Sequence, residues 1–589
     1  MATAVTFMQR DGDDEPFPSC FQGLCPNPLM MRSQEPLNSH SSKDDEQSKP
    51  LRNTSSACRH DFEDVTTSSI FPNTFFITHE SLPSFQESFS QFITAYPQYA
   101  DTRQIDNIRA QEYYNLTLSH HVCLDYIGIG LFSYSQQVQS IPVASPIVNP
   151  DYFPFFDINF KSVSLKSQLS LTNNGGGQLP SSPSSSSFEK EIFLELGMKK
   201  RIMDFLRISE KDYSLVFTAN KSSAFKLVAE SYPFQTNRKL LTVYDHSSEA
   251  LDTLVTTAEK RKAQVSSAEF KWPRLRVHAD NLKKMIVGGS GSKKKKGDKG
   301  LFVFPLQSRV TGGGYSYQWM NVAQENGWHV LLDACGLGPK DMDSFGLSLF
   351  KPDFLVCSFY KVFGDNPTGF GCLVVKNSAV SILENSKTAG IVSLVPQTLQ
   401  SYSPDSPGLE CKCLDQVDSL GLMVVNKRRK FLINWLVTAL TKLQHPNRLD
   451  GFPLVRIYGP KIKFDRGPAL AFNVYDWEGQ KVDPTFIQKL ADRYHISLSQ
   501  GFLHNIWFPQ KYEEERDRIL EKPNNEMEAN KKGNKQQGIS VVTIALSFLA
   551  NFEDTYMFWA FIARFLDADF VEKERWRYTA PNQSKAEVL

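Results

Sequence analysis

Short apolar runs alternate with stretches of helical periodicity through the middle of the chain. Residues 214–218, 240–244, 301–304, 329–332, 354–358 and 371–375 are brief and rich in Val, Leu and Phe. Runs of this kind predict strands buried on both faces. Helical stretches lie between them, so the pattern predicts a largely parallel sheet covered by helices. Upstream, Ile105, Ile108, Ala110, Tyr113 and Leu116 fall near helical spacing and predict a helix over 101–118. A short strand at 122–126 and a turn at Gly128 and Gly130 follow. Past about residue 420 the pattern changes. An amphipathic helix at 427–442, strands at 454–458 and 469–474 and a closing helix at 556–566 predict a smaller α+β domain.

Low-complexity stretches divide these elements. Residues 1–70 are rich in Ser, Pro, Asn and charge and are expected to form a disordered tail. A large domain is expected over 71–415, with flexible Gly/Ser-rich insertions at 173–187 and 288–300. A small C-terminal domain is expected over 416–570, with a charged insertion at 513–537, followed by a tail at 571–589. The Lys293–Lys296 run is a nuclear or nucleic-acid signal or, more commonly for such runs, a solvated loop. No internal repeat is visible.

Composition narrows the function classes. The 589 residues carry 65 Lys+Arg against 64 Asp+Glu, a net charge of +1. That balance gives no general pull toward nucleic acid or anionic membrane. No apolar run is long enough to span a bilayer. Asp11, Asp13, Asp14 and Glu15 do not suit a signal or transit peptide, so a cytoplasmic location is expected. The nine cysteines are scattered and odd in number, which argues against a disulfide framework. Cys411 and Cys413 lack a second Cys or His pair at zinc spacing, so no metal site is expected.

Candidate chemistry sits where predicted strands end. Val330–Asp333 places a carboxylate at the carboxyl edge of the sheet, where open α/β folds bind ligands. The next strand runs into Ser358-Phe-Tyr-Lys361. Together, Asp333 and Lys361 suggest pyridoxal 5'-phosphate (PLP), with the carboxylate keeping the pyridine nitrogen protonated and the lysine forming a Schiff base. In Phe217–Val228 a strand breaks at small polar residues and a helix follows. The hydroxyls of Ser222 and Ser223 and the free amides there suit a phosphate, or a plain helix cap. His246 offers an aromatic stacking surface or a structural imidazole.

These elements occur in an order that resembles the N-terminal, aminotransferase class V portion of the molybdenum cofactor sulfurase family, including its plant sulfurase-like members. The resemblance covers roughly Cys123 to Leu566 and rests on Cys123–Ser133, Phe217–Pro233, Phe304–Ser308, Leu331–Ala334 and Ser358–Gly364. It implies the PLP-dependent transferase fold, α/β with a large domain and a smaller α+β domain, and a homodimer. It also implies that Lys361 is the Schiff-base lysine, Asp333 the ring-nitrogen partner, His246 the ring-stacking residue and Ser222 the phosphate-site hydroxyl. In the family a mobile-loop cysteine takes sulfur from L-cysteine as a persulfide.

The chain departs from that pattern at several positions. The loop that reads Arg-Thr-Gly-Cys-Phe-Cys in the family is Ser499-Gln-Gly-Phe502-Leu-His504 here, so Phe502 stands where the persulfide cysteine is expected. No cysteine follows Cys413. Thr543 takes the place of the substrate-carboxylate arginine, whose bidentate grip a threonine cannot reproduce. Asn220 replaces a glycine of the phosphate loop, Lys412-Cys413 replaces a Gly-Thr pair, and Arg309 replaces an asparagine. Arg309 and Lys412 are candidates to supply positive charge to the pocket instead. The sequence ends at Leu589, so the family's separate C-terminal domain is not expected. Three readings follow: a PLP-binding protein with residual chemistry on a small amino-acid-like substrate, an inactive dimeric scaffold, or an authentic sulfurase. None calls for nucleic acid or membrane.

Overall fold

A computed structural model gives the architecture. Its contacts divide the chain into two units, 1–65 and 66–589. The structure describes residues 70–125, 158–162, 187–288, 300–335, 351–363, 366–383, 390–396, 419–446, 452–460, 466–521 and 537–586. The expected tail over 1–69, the Gly128–Gly130 turn, and most of the expected insertions therefore lie outside the described residues.

Two helices come first, α1 (Phe85–Ala95) and α2 (Arg103–Glu112). Ser84 starts α1 with a reciprocal capping box to Glu87. The expected single helix over 101–118 is a 3-10 turn at Pro97–Thr102, then α2, then a short helix Tyr114–Leu118.

The apolar runs form one seven-stranded sheet. Its strands are β1 (Tyr213–Thr218), β2 (Lys239–Thr242), β3 (Gln264–Ser267), β4 (Gly300–Pro305), β5 (His329–Asp333), β6 (Phe354–Phe363) and β7 (Asn366–Lys376). Their order is β1-β7-β6-β5-β4-β2-β3. Strand β7 is antiparallel to both neighbours, and the remaining pairs are parallel. The sheet is therefore mostly parallel, as the alternating pattern predicts. Helices α3 (Lys221–Ser231) and α4 (Glu249–Lys260) cover one face. There Phe225, Val228, Leu251 and Leu254 pack on Val216, Leu240, Leu301, Leu331 and Val356. This apolar burial is the main force holding strands of so little polarity in register.

The C-terminal part builds a four-stranded antiparallel sheet. A long helix α5 (Leu422–Thr441) precedes β8 (Val455–Tyr458), β9 (Ala469–Val474), β10 (Ser499–Leu503) and β11 (Ile539–Ala545), ordered β8-β9-β11-β10. Helix α6 (Phe552–Ala563) closes the second core. The expected closing helix thus begins at Phe552, where an Asn551–Asp554 capping box sets its start.

The second core also takes in the start of the described chain. Phe71 stacks on Trp559 with ring centroids 5.4 Å apart, and Phe92 stacks on Phe552 at 4.6 Å. Val122–Cys123 pairs in parallel with Ile496–Ser497, and Asp125 bridges Ala545. Two buried arginines reinforce the seam. Arg428 of α5 is fully buried and reaches Asp106 of α2, Thr102 and the Ala550 carbonyl. Arg109 of α2 forks onto Asp554 through Nη1–Oδ2 at 2.5 Å and Nη2–Oδ1 at 2.9 Å.

Two stretches set aside as loop or tail carry structure. Glu513–Ile519 is helical, and its Glu515 accepts from the Trp272 indole and pairs with Arg456. Ala568–Ala586 is also helical, with Val571 buried and Glu574 held by Arg493 and Arg577. Polar composition concealed both, because their anchoring partners come from distant segments. Among the described residues, no helix is long and apolar enough to cross a membrane.

Asp554 serves two purposes, as partner of buried Arg109 and as half of the α6 cap. Replacing it leaves a buried guanidinium without its counter-charge, which costs about 3 kcal/mol or more. Asp554→Ala is expected to lower the unfolding free energy by that amount in urea titration. Asp554→Glu is expected to recover part of it.

Candidate functional site

The carboxyl ends of the parallel strands converge at one edge of the large sheet. Asp333 ends β5, Tyr244 and His246 follow β2, Gln307 and Ser308 follow β4, and Lys221 opens α3 directly after β1. This is the edge where open α/β sheets hold ligands. The sequence places Asp333, His246, Ser222 and Ser223 here, and the structure brings them to this edge.

Asp333 is buried, with about 4% of its surface exposed. Its Oδ2 accepts from the Tyr244 hydroxyl at 2.7 Å and from the Lys221 ammonium at 2.9 Å. Its Oδ1 accepts the Cys335 amide at 3.0 Å. Burial alone would raise the carboxyl, but the Lys221 charge and these hydrogen bonds hold it below the ordinary aspartate range. Burial would likewise lower Lys221, yet the Asp333 charge, Cys335 and the hydrogen bond to Asp333 together outweigh it and keep the ammonium raised above the usual lysine value. Arg309 is exposed but close enough for its charge to oppose that rise.

The start of α3 is set by Asn220, not by either serine. Asn220 is in extended backbone, and its Oδ1 accepts the Ser223 amide at 2.8 Å. The turn fits because β7 carries Gly371 alongside. A Cβ at that position would lie 2.6 Å from Thr218 Oγ1 and 2.8 Å from the Asn220 carbonyl carbon. Ser222 and Ser223 are half-buried in the first turn.

A second buried cluster adjoins the first. Tyr244 and His246 meet edge to face with ring centroids 5.9 Å apart. His246 Nδ1 bonds Asp245 Oδ1 at 2.7 Å. Asp245 also accepts from Ser308 at 2.8 Å and from Thr311 at 2.7 Å. Burial pushes the Asp245 carboxyl up, but the bonds from His246, Thr311 and Ser308 hold it down. From the small sheet, the His504 amide bonds the Asp245 carbonyl at 3.0 Å, and the Phe502 carbonyl accepts the Ser247 amide at 3.0 Å. His246 is thereby clamped between both sheets.

Lys361 lies on β6, in register with Thr368 of β7. It stands five residues past Val356, the register partner of Asp333, and its side chain lies outside the described residues. Lys412 and Cys413 are also outside them. Thr543 is buried in β11 between Ser499 and Ala471, and its methyl faces Gly501.

The residues present can be tested against PLP at both ends of its expected place. At the ring-nitrogen end, Asp333 Oδ2 already holds Lys221 and Tyr244. At the phosphate end, Asn220 takes the Ser223 amide that a phosphate oxygen would use. With the chain's own groups in these positions the bound cofactor does not fit, and binding requires Lys221 to move. Lys221 is the residue that sequence reasoning missed. A cation in the first turn opposes the helix dipole and calls for a nearby anion; that signal was present in Asn220-Lys221-Ser222. Among the described residues no His/Cys/Asp/Glu cluster could hold a metal.

His504 generates a pH prediction. Burial, with the His246 charge beside it, pushes its imidazole down to about 4 from an ordinary 6.5. Its folded value is thus depressed, so the stability it contributes is complete above pH 6.5. That stability is lost as pH falls toward about 4, by up to ~3 kcal/mol. Urea titrations at stepped pH are expected to show this fall in the native protein and a flatter profile in His504→Gln.

Comparison with known proteins gives the family context. No family model matches the chain. It is 24% identical over 475 residues to the molybdenum cofactor sulfurase of Solanum lycopersicum, spanning 73% of this chain and 53% of that protein. It is 26% identical over 374 residues to that of Homo sapiens, spanning 54% of this chain and 38% of the relative. The chain spans about half or less of the length of these curated relatives. Among solved structures, an apo cysteine desulfurase from Thermococcus onnurineus NA1 gives a TM-score of 0.45 at 14% identity, covering 78% of this chain and 98% of that one. The cysteine desulfurase CsdA from Escherichia coli gives 0.45 at 15% identity, with the same coverage. The chain is therefore similar in sequence to molybdenum cofactor sulfurases over part of their length, and its large sheet is mostly parallel within a mixed α/β architecture.

Proposed function

We propose that this chain is a sulfurase-like protein that does not desulfurate cysteine through a protein persulfide, and that its fold serves as a non-catalytic, self-associating module. The observation that carries this reading is the state of Phe502. In the family resemblance this position belongs to a mobile loop whose thiol attacks the substrate sulfur. Here it lies in β10, in register with Ser540 of β11, and its carbonyl accepts the Ser247 amide. Its ring packs where a Cβ on Gly538 would lie, 2.6 Å away. A phenyl ring held in a ladder offers neither a nucleophile nor a swinging arm.

Two further observations support it. Thr543, where the resemblance expects an arginine, is a short side chain buried within the small sheet. Persulfide chemistry also needs a thiolate. Cys335, whose amide bonds Asp333, has its thiol pushed well above the ordinary range by burial and by the Asp333 charge. Cys357 and Cys372 are register partners across β6 and β7 and are both buried. The family resemblance supports a second copy of the chain as its partner. Residual chemistry on an amino-acid-like substrate is the other reading, and it rests on Lys361 and Asp333.

The test is direct. Purified full-length protein supplied with PLP and L-cysteine is expected to release sulfide at the rate of the protein-free blank and to carry no persulfide. Multiple-turnover sulfide release with a persulfide mapped to the chain would overturn the reading.

A further inference from the structure

We infer that Lys221 is an internal stand-in for the cofactor's ring nitrogen: its ammonium occupies the place of the protonated pyridine on Asp333, so that the large domain is charge-balanced without PLP and resists loading with it. The inference goes beyond the loss of desulfuration and does not depend on it.

The argument starts from Asp333. A carboxylate this deeply buried needs a cationic or multiply hydrogen-bonding partner. In a PLP site the protonated ring nitrogen provides one. Here Lys221 Nζ provides it at 2.9 Å, on the same Oδ2 that takes the Tyr244 hydroxyl. Oδ1 is taken by the Cys335 amide. The lysine starts from the first turn of α3, the phosphate end of the expected site, and its flexible four-carbon stem runs to the ring-nitrogen end. It therefore lies along the long axis that the cofactor would occupy. Asn220 completes the substitution by capping α3 itself, taking the Ser223 amide at 2.8 Å.

The positions of the charges explain why the pair persists. A cation at a helix start is unfavourable on its own. Lys221 offsets that penalty by reaching Asp333, and Asp333 gains from Lys221 the cation that its two neutral donors, Tyr244 and the Cys335 amide, do not supply. The Lys221 ammonium also lies over the ring of Phe225 of the same helix, 5.4 Å from its centroid. Raised on the lysine and lowered on the aspartate, the two titrations leave the pair charged across the neutral range. A raised lysine is also a poor nucleophile, so Lys221 is not itself a Schiff-base amine at neutral pH.

The experiment titrates PLP into full-length native protein, Lys221→Ser and Lys221→Met. The readouts are visible absorbance, thermal melting, and borohydride trapping with peptide mapping. Native protein is expected to be colourless as purified, to melt at the same temperature with and without PLP, and to give no adduct on Lys361. Lys221→Ser is expected to bind PLP at least tenfold more tightly than native protein, with the adduct on Lys361. Lys221→Met, which keeps the stem and removes the charge, is expected to fall between them. Native protein that carries PLP on Lys361 as purified, or whose melting temperature rises with PLP, overturns the inference. So does a folded Lys221→Ser that binds no better than native protein. Should both variants fail to fold, by circular dichroism, the native melting and trapping data decide alone. Sulfide release from L-cysteine, measured in parallel, bears only on the desulfuration reading.

Discussion

A carboxylate at the end of a buried parallel strand dictates much of what surrounds it. Asp333 cannot be left bare, and among the described residues three groups turn toward it: Tyr244 from the strand beyond β4, the Cys335 backbone from its own turn, and Lys221 from the neighbouring helix. The parallel sheet makes this possible because several strands end at one edge, so a single carboxylate gathers partners from distant parts of the sequence. The pairing then determines the site's chemistry. The buried carboxylate at this edge is balanced by a side chain of the protein itself.

The neighbouring cluster follows the same logic with a different outcome. Asp245 is buried and charged, and it is satisfied by His246, Ser308 and Thr311. Because the His504 and Phe502 backbones dock onto the same segment, the small sheet is pinned against the His246 turn. The β10 segment that carries Phe502 is thus part of the framework that holds the two sheets together.

Much of this was legible in the sequence, for identifiable reasons. The strands of the large sheet are apolar runs bounded by polar residues, and their burial on both faces makes them stand out. Asp333 was legible because a charged residue closing such a run is conspicuous. Phe502 and Thr543 could be singled out from the resemblance alone. Lys221 was legible only in part: a cation at a helix start calls for an anion, but does not say which, and its partner lies 112 residues away. Asn220 looked like a lost glycine, and only the placement of its side chain shows that the carboxamide oxygen caps the helix. The helix at Ala568–Ala586 was hidden for a related reason: its charged residues pair with Arg493 and Asp476 from other elements.

The joining of the chain's early and late segments has a consequence for biosynthesis. Arg109 needs Asp554, Phe71 needs Trp559, and Val122 needs Ile496. As the polypeptide leaves the ribosome, helices α1 and α2 emerge long before any of these partners exists. The aromatic face of α1 and the buried Arg109 of α2 stay without their partners until the last hundred or so residues arrive. The large sheet, whose strands all lie between residues 213 and 376, can close first and leave the opening helices waiting.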